Sequence, residues 1–555
     1  MTIFKFKKNK TLGYSIVLFF CLHTVSCISK TEIDLIAHNA NLYSLNDNKD
    51  IFEAIAINNG KIIALGKNNQ LLNKYKAKTV LDLEGKYVYP GFIDAHCHFL
   101  TYGLQQEMVD ISKAKSFQEI IGILNDYQNQ KQKDWIIGYG WDQNQWEDKK
   151  WPNNEILNTH FPNTCVVLNR IDGHAIMANN KAITTAKIPM DTVVSGGYIE
   201  KIEDSFTGLF IDNAMDLISS KIPSPNEAEK KSALLKAQQD CFSLGLTTVD
   251  IAGLNIVDIE LIKKLHKTGE LKMKIYAMLS DNIENFNYYV DSIGEPIKNE
   301  KLNICSFKFF ADGSLGSRGA CLLKPYTDLN SSSGFMLQEK ADFEAKLKKI
   351  KETGFQACTH AIGDSATRSI LKSYALVLEN NNDKRWRLEH SQCISPGDLN
   401  YFSKYNIIPS VQPTHATSDF SWAILRLGKD RLSNCYQYFS LFEQNALIAL
   451  GTDFPVEKIN PIHTFYAAVF RKNFEGLPIG GFQKDESLTR EQALKGMTIW
   501  AALANFEENE KGSLEIGKSA DMVVLNKDLF TANENEILDT KVFKTIVSGE
   551  LVYEN

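Results

Sequence analysis

The stretch Tyr87-Val88-Tyr89-Pro90-Gly91-Phe92-Ile93-Asp94-Ala95-His96-Cys97-His98 decides how the rest of the chain is read. Its first ten residues form a short apolar run, the signature of a buried strand. His96 and His98 are two apart, so on a strand their side chains share one face and both imidazoles reach one cation. Cys97 then points away into packing. An isolated His-x-His carries little weight. Placed after an apolar strand and Pro90–Asp94, it reads as the metal-binding end of a strand.

Seven further apolar runs follow, at Thr247–Ala252, Lys272–Leu279, Ser306–Gly313, Phe355–Ile362, Arg385–Gln392, Ile407–His415 and Ala446–Pro455. Amphipathic helical stretches fit between the later ones. Eight such units predict an α/β fold, a (β/α)8 TIM barrel whose chemistry sits at the carboxyl ends of its strands. The gap after the first strand is too long for one helix and predicts an insertion over about residues 100–243, placed as a lid over the barrel mouth. Outside the barrel (90–509), short strands recur at both chain ends. Asn58-Asn59-Gly60 is a hairpin signal between two of them. Residues 31–89 plus 510–555 therefore predict a small composite β-sandwich domain that brings the chain ends together.

The strand ends carry a constellation. Besides His96 and His98, they present Lys308, His360, His390, His415 and Asp453. Each is ambiguous alone, and Asp453 could equally be a helix N-cap. Their joint placement at successive strand ends is what a barrel uses to gather residues distant in sequence. Lys308, in Phe307-Lys308-Phe309-Phe310, would bury an ammonium among aromatics at a cost of several kcal/mol unless it is paired or neutralised. Two readings stand: a salt bridge to Asp312, or N6-carboxylation by carbon dioxide to a carbamate that bridges two cations.

These stretches resemble the YtcJ-like branch of the amidohydrolase superfamily, amidohydrolase family 3. The matching motifs are Pro90–His98, Gly140-Trp141-Asp142 with Trp146, Arg170-Ile171-Asp172-Gly173-His174, Ala311–Arg318, Thr359–Asp364, Arg387–Gln392, Ser410–His415, Gly451–Val456 and Gly517–Asp521. They run in family order across nearly all of the chain after its first residues. The resemblance implies the barrel and composite sandwich. It further implies a centre of one or two divalent ions on His96, His98, Lys308, His360 and His390, with Asp453 beside the reactive water. Imidazole-rich ligation favours zinc. The expected chemistry is hydrolysis of a non-peptide C–N bond in an amide, cyclic amide, N-acyl or N-formyl compound, with Asp453 as general base and then acid. The rival expectation is a catalytically silent binding or regulatory protein on the same barrel, which loss of a metal ligand would favour; none is lost.

Pocket candidates come from the insertion and the later loops. Trp141 and Trp146 read either as stacking surfaces for a substrate or as core. Asp142, Arg170 and His174 read as polar anchors, with Arg170 and Asp172 alternatively paired to each other. Arg318 reads as a carboxylate holder or a structural ion pair, and His415 as a group that orients substrate or supports the site from behind the ligands, rather than as a metal ligand.

The remaining features bound the setting. The chain has 555 residues, 44% hydrophobic and 23% charged, with net charge −6. That balance supports large cores and gives no footprint for nucleic acid. The partner expected is a small-molecule substrate, with a homodimer left open. Lys5, Lys7, Lys8 and Lys10 precede an apolar stretch from Leu12 to Leu22 and then Thr24-Val25-Ser26-Cys27. This order predicts a signal peptide over residues 1–27, too short to span a bilayer comfortably. Ser26-Cys27 resembles a bacterial lipobox in which Cys27 is acylated, with Thr24 where Leu is usual. An exported, lipid-anchored protein of the periplasm or cell envelope is expected, touching membrane only through that anchor. The ten cysteines are scattered without a dense framework and are expected to be buried thiols.

Overall fold

The computed structural model describes residues 30–555; the signal-peptide and Cys27 expectations lie outside them. Eight parallel strands form the central sheet: β1 (Phe92–Cys97), β2 (Leu246–Leu254), β3 (Lys274–Ser280), β4 (Leu302–Phe310), β5 (Gln356–Ala361), β6 (Arg387–His390), β7 (Ile408–Val411) and β8 (Ala449–Leu450), hydrogen-bonded in that order from β1 to β8. The sheet curls into a nearly closed barrel. Its seam is made beyond the last ladder, where Asp453 N donates to His96 O at 2.8 Å and His98 N donates to Phe454 O at 2.8 Å. Gly451 is required there, because a Cβ would stand 2.5 Å from His96 N.

The first run is not one strand. It breaks at Gly91, where a Cβ would meet the Thr247 side chain at 2.3 Å. Tyr87–Pro90 leaves the barrel and pairs antiparallel with Met522–Leu525. That pairing belongs to a six-stranded sheet drawn from both chain ends. A four-stranded sheet of Lys61–Gly66, Ala54–Asn58, Thr31–His38 and Tyr75–Asp82 faces it. Leu35, Ile55 and Ile57 from the smaller sheet share a core with Leu42, Val88, Val524 and Ile546 from the larger. The Asn58–Gly60 hairpin turns as its sequence dictates, with Asn59 at φ 50° and Gly60 at φ 73°, the left-handed pair of a type I′ turn.

Between β1 and β2 lies a separate six-stranded sheet spanning Val109 to Asp212, with apolar cores on both faces. The long helix Glu227–Ser243 lies within the span expected to be insertion, yet Leu234, Ala237, Cys241 and Phe242 pack into the barrel core. Its apolar stripe needs a partner, and the outside of β2 supplies it.

The expectation of buried thiols needs one correction. Cys97, Cys165, Cys241, Cys305 and Cys358 are buried thiols, but Cys393 and Cys435, 42 positions apart in sequence, form a disulfide. The two lie in loops that meet through an isolated antiparallel bridge beyond β6. Among the described residues, no helix is long and apolar enough to cross a membrane.

Candidate active site

At the carboxyl ends of the strands opens a cavity of about 530 Å³, lined by His98, Lys308, His360, His390, His415 and Asp453 from the barrel. Asp142, Arg170, Asp172 and His174 from the insertion form the facing wall, so the insertion shapes the pocket directly. Asp453 sits at its centre. Its carboxylate lies 3.3 Å from His98 Nε2, 3.7 Å from His96 Nε2 and 3.6 Å from His415 Nε2. The donor atoms of His96, His98 and Asp453 lie within 4.8 Å of one another, and so do those of His390, His415 and Asp453. Asp453 Oδ1 and His415 Nε2 are buried with no hydrogen-bond partner. Unpaired buried polar atoms are costly, and convergent imidazole and carboxylate donors without partners are what a divalent cation satisfies.

Each donor is aimed by its neighbours. His96 Nδ1 donates to Glu389 Oε2 at 2.6 Å, and His390 Nδ1 meets Gln412 Oε1 at 2.7 Å. The Nε2 atoms are thereby left facing the cavity. His390 and Asp453 hold φ at 68° and 63°. Neither is glycine, so each stores backbone strain of the kind found at functional sites. Asp94, inward-facing like His96, fixes the loop carrying Asp453. Its carboxylate accepts from Thr452 N at 2.9 Å and Thr452 Oγ1 at 2.6 Å.

The family model for amidohydrolases matches residues 79–553. The chain belongs to the amidohydrolase family. It is 29% identical to YtcJ of Bacillus subtilis strain 168 over 93% of this chain and 99% of that protein. It is 24% identical to the N-substituted formamide deformylase of Arthrobacter pascens, over 94% and 98% respectively. The structure of a metal-dependent hydrolase from Pyrococcus horikoshii OT3 superposes with a TM-score of 0.73 at 26% identity, covering 90% of this chain and all but 1% of that one (99%).

In this amidohydrolase Lys308 is 1% exposed, and its Nζ lies 3.0 Å from His96 Nε2 and 4.6 Å from the centre of the Phe310 ring. The salt bridge to Asp312 weighed from the sequence is not made; Asp312 instead accepts backbone N–H bonds from Cys321, Ile362 and Gly363. Burial lowers the Lys308 pKa to about 8, against the opposing pull of Glu389 and Asp453. Burial likewise lowers His96 to about 4 and carries His360 and His390 well below the usual imidazole range, so these rings are neutral. Burial pushes the Asp453 carboxyl upward, but the close contact with His98 outweighs it, and the group lies well below the usual carboxylate range. His360 stacks edge-on against His390 at 4.5 Å, with its Nε2 3.4 Å from Gly313 O.

The expected pocket residues divide. Arg170 is fully clasped, at 2.5 Å to both Asp142 and Asp172, and this clasp, rather than a free anchor, is what faces the cavity. His174 lines the pocket with Nδ1 held by Asp212 at 2.6 Å. His415, expected to orient substrate or to support the site, stands within the donor group around Asp453. Trp141 and Trp146 do not reach the cavity. They are 1% and 4% exposed in the core of the insertion, with their indole N–H groups bonded to Leu168 O and Ala114 O. Arg318 also misses the cavity and pairs with Asp328 at 2.9 Å. Sequence reasoning missed Glu389, Gln412, Asp94 and Asp212. The alternation Asp94-x-His96-x-His98 and Arg387-x-Glu389 carried a signal for two of them.

Proposed function

We propose that this hydrolase cleaves a non-peptide C–N bond in a small amide, cyclic amide, N-acyl or N-formyl compound. The observation that carries the reading is the single carboxylate of Asp453 set within 3.3–3.7 Å of three imidazoles at the base of a cavity. The donor set of His96, His98, His390, His415 and Asp453 fits zinc, with His360 and Lys308 beside it. A divalent ion held there supplies Lewis acidity, which acidifies water and polarises the substrate carbonyl. Asp453, ionised and pinned through the Asp94–Thr452 anchor, accepts a proton from the attacking water. As the C–N bond breaks, it returns that proton to the leaving nitrogen, giving a carboxylic acid and an amine. His174, fixed through Nδ1 by Asp212, offers its other ring nitrogen to the substrate. Relationship to a formamide deformylase supports the bond type.

Carboxylation of Lys308 belongs to the same proposal, supported by its burial and its 3.0 Å approach to His96 Nε2. Its lowered pKa leaves a fraction of free amine near neutrality, which forms an N–C bond with carbon dioxide and releases one proton. The localisation proposed is outside the cytoplasm on a Cys27 anchor, a reading that the Cys393–Cys435 disulfide supports, since such bonds persist in oxidising compartments. Radiolabelled palmitate incorporated into wild type and absent from Cys27→Ala would support the anchor; no label in wild type would remove it.

The test of function is a panel of N-formyl amines, cyclic amides and N-acyl amino acids. Hydrolysis is expected to vanish with a chelator, return with zinc, and fall about 10²–10⁴-fold in Asp453→Asn. Turnover that ignores both the chelator and the substitution would exclude the mechanism.

A further inference from the structure

Barrel interiors are ordinarily filled by bulky apolar side chains. This one contains Asp250, Arg387, Glu389 and Ser410, all at 0% exposure. Arg387 and Glu389 are two apart on β6 and share its inward face. Arg387 Nε lies 2.7 Å from Glu389 Oε1, an ion pair off the hydrogen-bond axis. Its Nη1 donates to Asp250 Oδ2 on β2 at 2.9 Å, and its Nη2 to Ser410 Oγ on β7 at 2.9 Å and to Ala95 O on β1. Asn505, which closes the helix Ile499–Ala504, donates to the other Asp250 oxygen at 2.7 Å. Glu389 Oε2 accepts the Nδ1–H of His96 at 2.6 Å and, at the longer distance of 3.4 Å, an N–H of Arg387 Nη2.

We infer that Arg387 and Asp250 are positioning residues for the metal centre, acting through Glu389 on His96. This rests on the metal reading given above. A carboxylate alone in the barrel would be desolvated and expensive. Arg387 neutralises it and touches both oxygens, through Nε on Oε1 and Nη2 on Oε2, which fixes the plane of the carboxylate so that Oε2 meets His96 Nδ1. That fixes the ring orientation and keeps the proton on Nδ1, leaving Nε2 as the ligand atom aimed at Lys308 and Asp453. Asp250 prevents the guanidinium from swinging away, and Asn505 prevents Asp250 from doing so. The strand-1 ligand is thereby tied to β2, β6, β7 and the closing helix in one charged layer. A core-filling role would need only mutual pairing of Asp250, Arg387 and Glu389. The unexplained feature is that the layer's outermost oxygen is spent on a ligand's ring nitrogen.

Outer partners of a ligating histidine commonly matter about 10–100-fold in metal affinity. The stripped full-length protein is titrated with zinc against a chromophoric chelator, and the cobalt form is examined by visible spectroscopy. Glu389→Gln and Arg387→Met are expected to bind zinc about 10–100-fold more weakly than wild type, with shifted cobalt bands. Arg387→Lys is expected to recover part of the loss. Lys274→Met is the comparison: it breaks another buried ion pair, with Asp521 at 2.7 Å, far from the donors, and should lose stability while keeping wild-type zinc affinity. The inference is overturned if Glu389→Gln and Arg387→Met keep wild-type zinc affinity and cobalt bands while losing stability as Lys274→Met does. Should Arg387→Met fail to fold, the nearly isosteric Glu389→Gln decides alone. A wild type that binds no zinc would instead refute the metal reading itself, and this role with it.

Discussion

Asp94→Ala should loosen the barrel seam and the catalytic loop together. The Asp94 carboxylate is 2% exposed and accepts three hydrogen bonds, from Thr452 N at 2.9 Å, Thr452 Oγ1 at 2.6 Å and His96 N at 3.2 Å. Hydrogen bonds to a charged group contribute about 1.5–3 kcal/mol each, and donors left buried and unpaired add their own cost. Burial works the other way, raising the Asp94 pKa to about 7; removing the side chain recovers that desolvation. The net expectation is a loss of about 3–5 kcal/mol for Asp94→Ala. Asp94→Asn keeps Oδ1 for both backbone donors, and Thr452 Oγ1 turns to accept, so its cost should be about 1 kcal/mol. Equilibrium urea unfolding of the metal-free proteins measures both, and zinc retention after gel filtration reports whether Asp453 stays in place. A loss under about 1 kcal/mol in Asp94→Ala, with zinc fully retained, would show that the Thr452 anchor does not hold the loop.

Three further outcomes follow from other parts of the molecule. Asp521 is fully buried; burial raises its pKa, but Lys274 outweighs this and the net shift is downward. The unfolded chain therefore binds the proton more readily, so this group's stabilisation is present above its unfolded pKa and fades as pH falls through the folded one; Asp521→Asn should flatten the acid limb of a stability profile, and an unchanged acid limb would contradict it. Breaking the Cys393–Cys435 bridge, which closes a 42-residue separation, should cost about 4 kcal/mol on the chain-entropy account, read as unfolding of Cys393→Ala/Cys435→Ala against wild type; equal midpoints would refute it. Trp141→Phe should lower stability through the lost bond to Leu168 O while leaving KM for any substrate unchanged, and a raised KM at unaltered stability would restore the stacking role expected from the sequence.

The barrel was legible because apolar runs and strand-end polar residues repeat along the chain, and local patterns encode both. The break at Gly91 was not, since nothing nearby announces that Thr247 will press against it. His96, His98, His390 and Asp453 were legible as a constellation, each standing where its strand stops. The approach of His415 to within 3.6 Å of the Asp453 carboxylate was not legible, because its ring gets there only through the curl of the chain after β7. The tryptophans of the insertion misled for a physical reason: a large indole fits a binding wall or a core equally well, and only its N–H partner separates the two. Disulfide partners with no motif between them depend entirely on tertiary approach. The same holds for Glu389, whose importance lies in a bond to a residue nearly three hundred positions away.

The most direct test of the central claim is elemental analysis of the purified protein, comparing wild type with Lys308→Ala. The account predicts tightly held zinc in wild type after supply of zinc and bicarbonate, and less of it in Lys308→Ala. No tightly held metal in wild type under those conditions would contradict it.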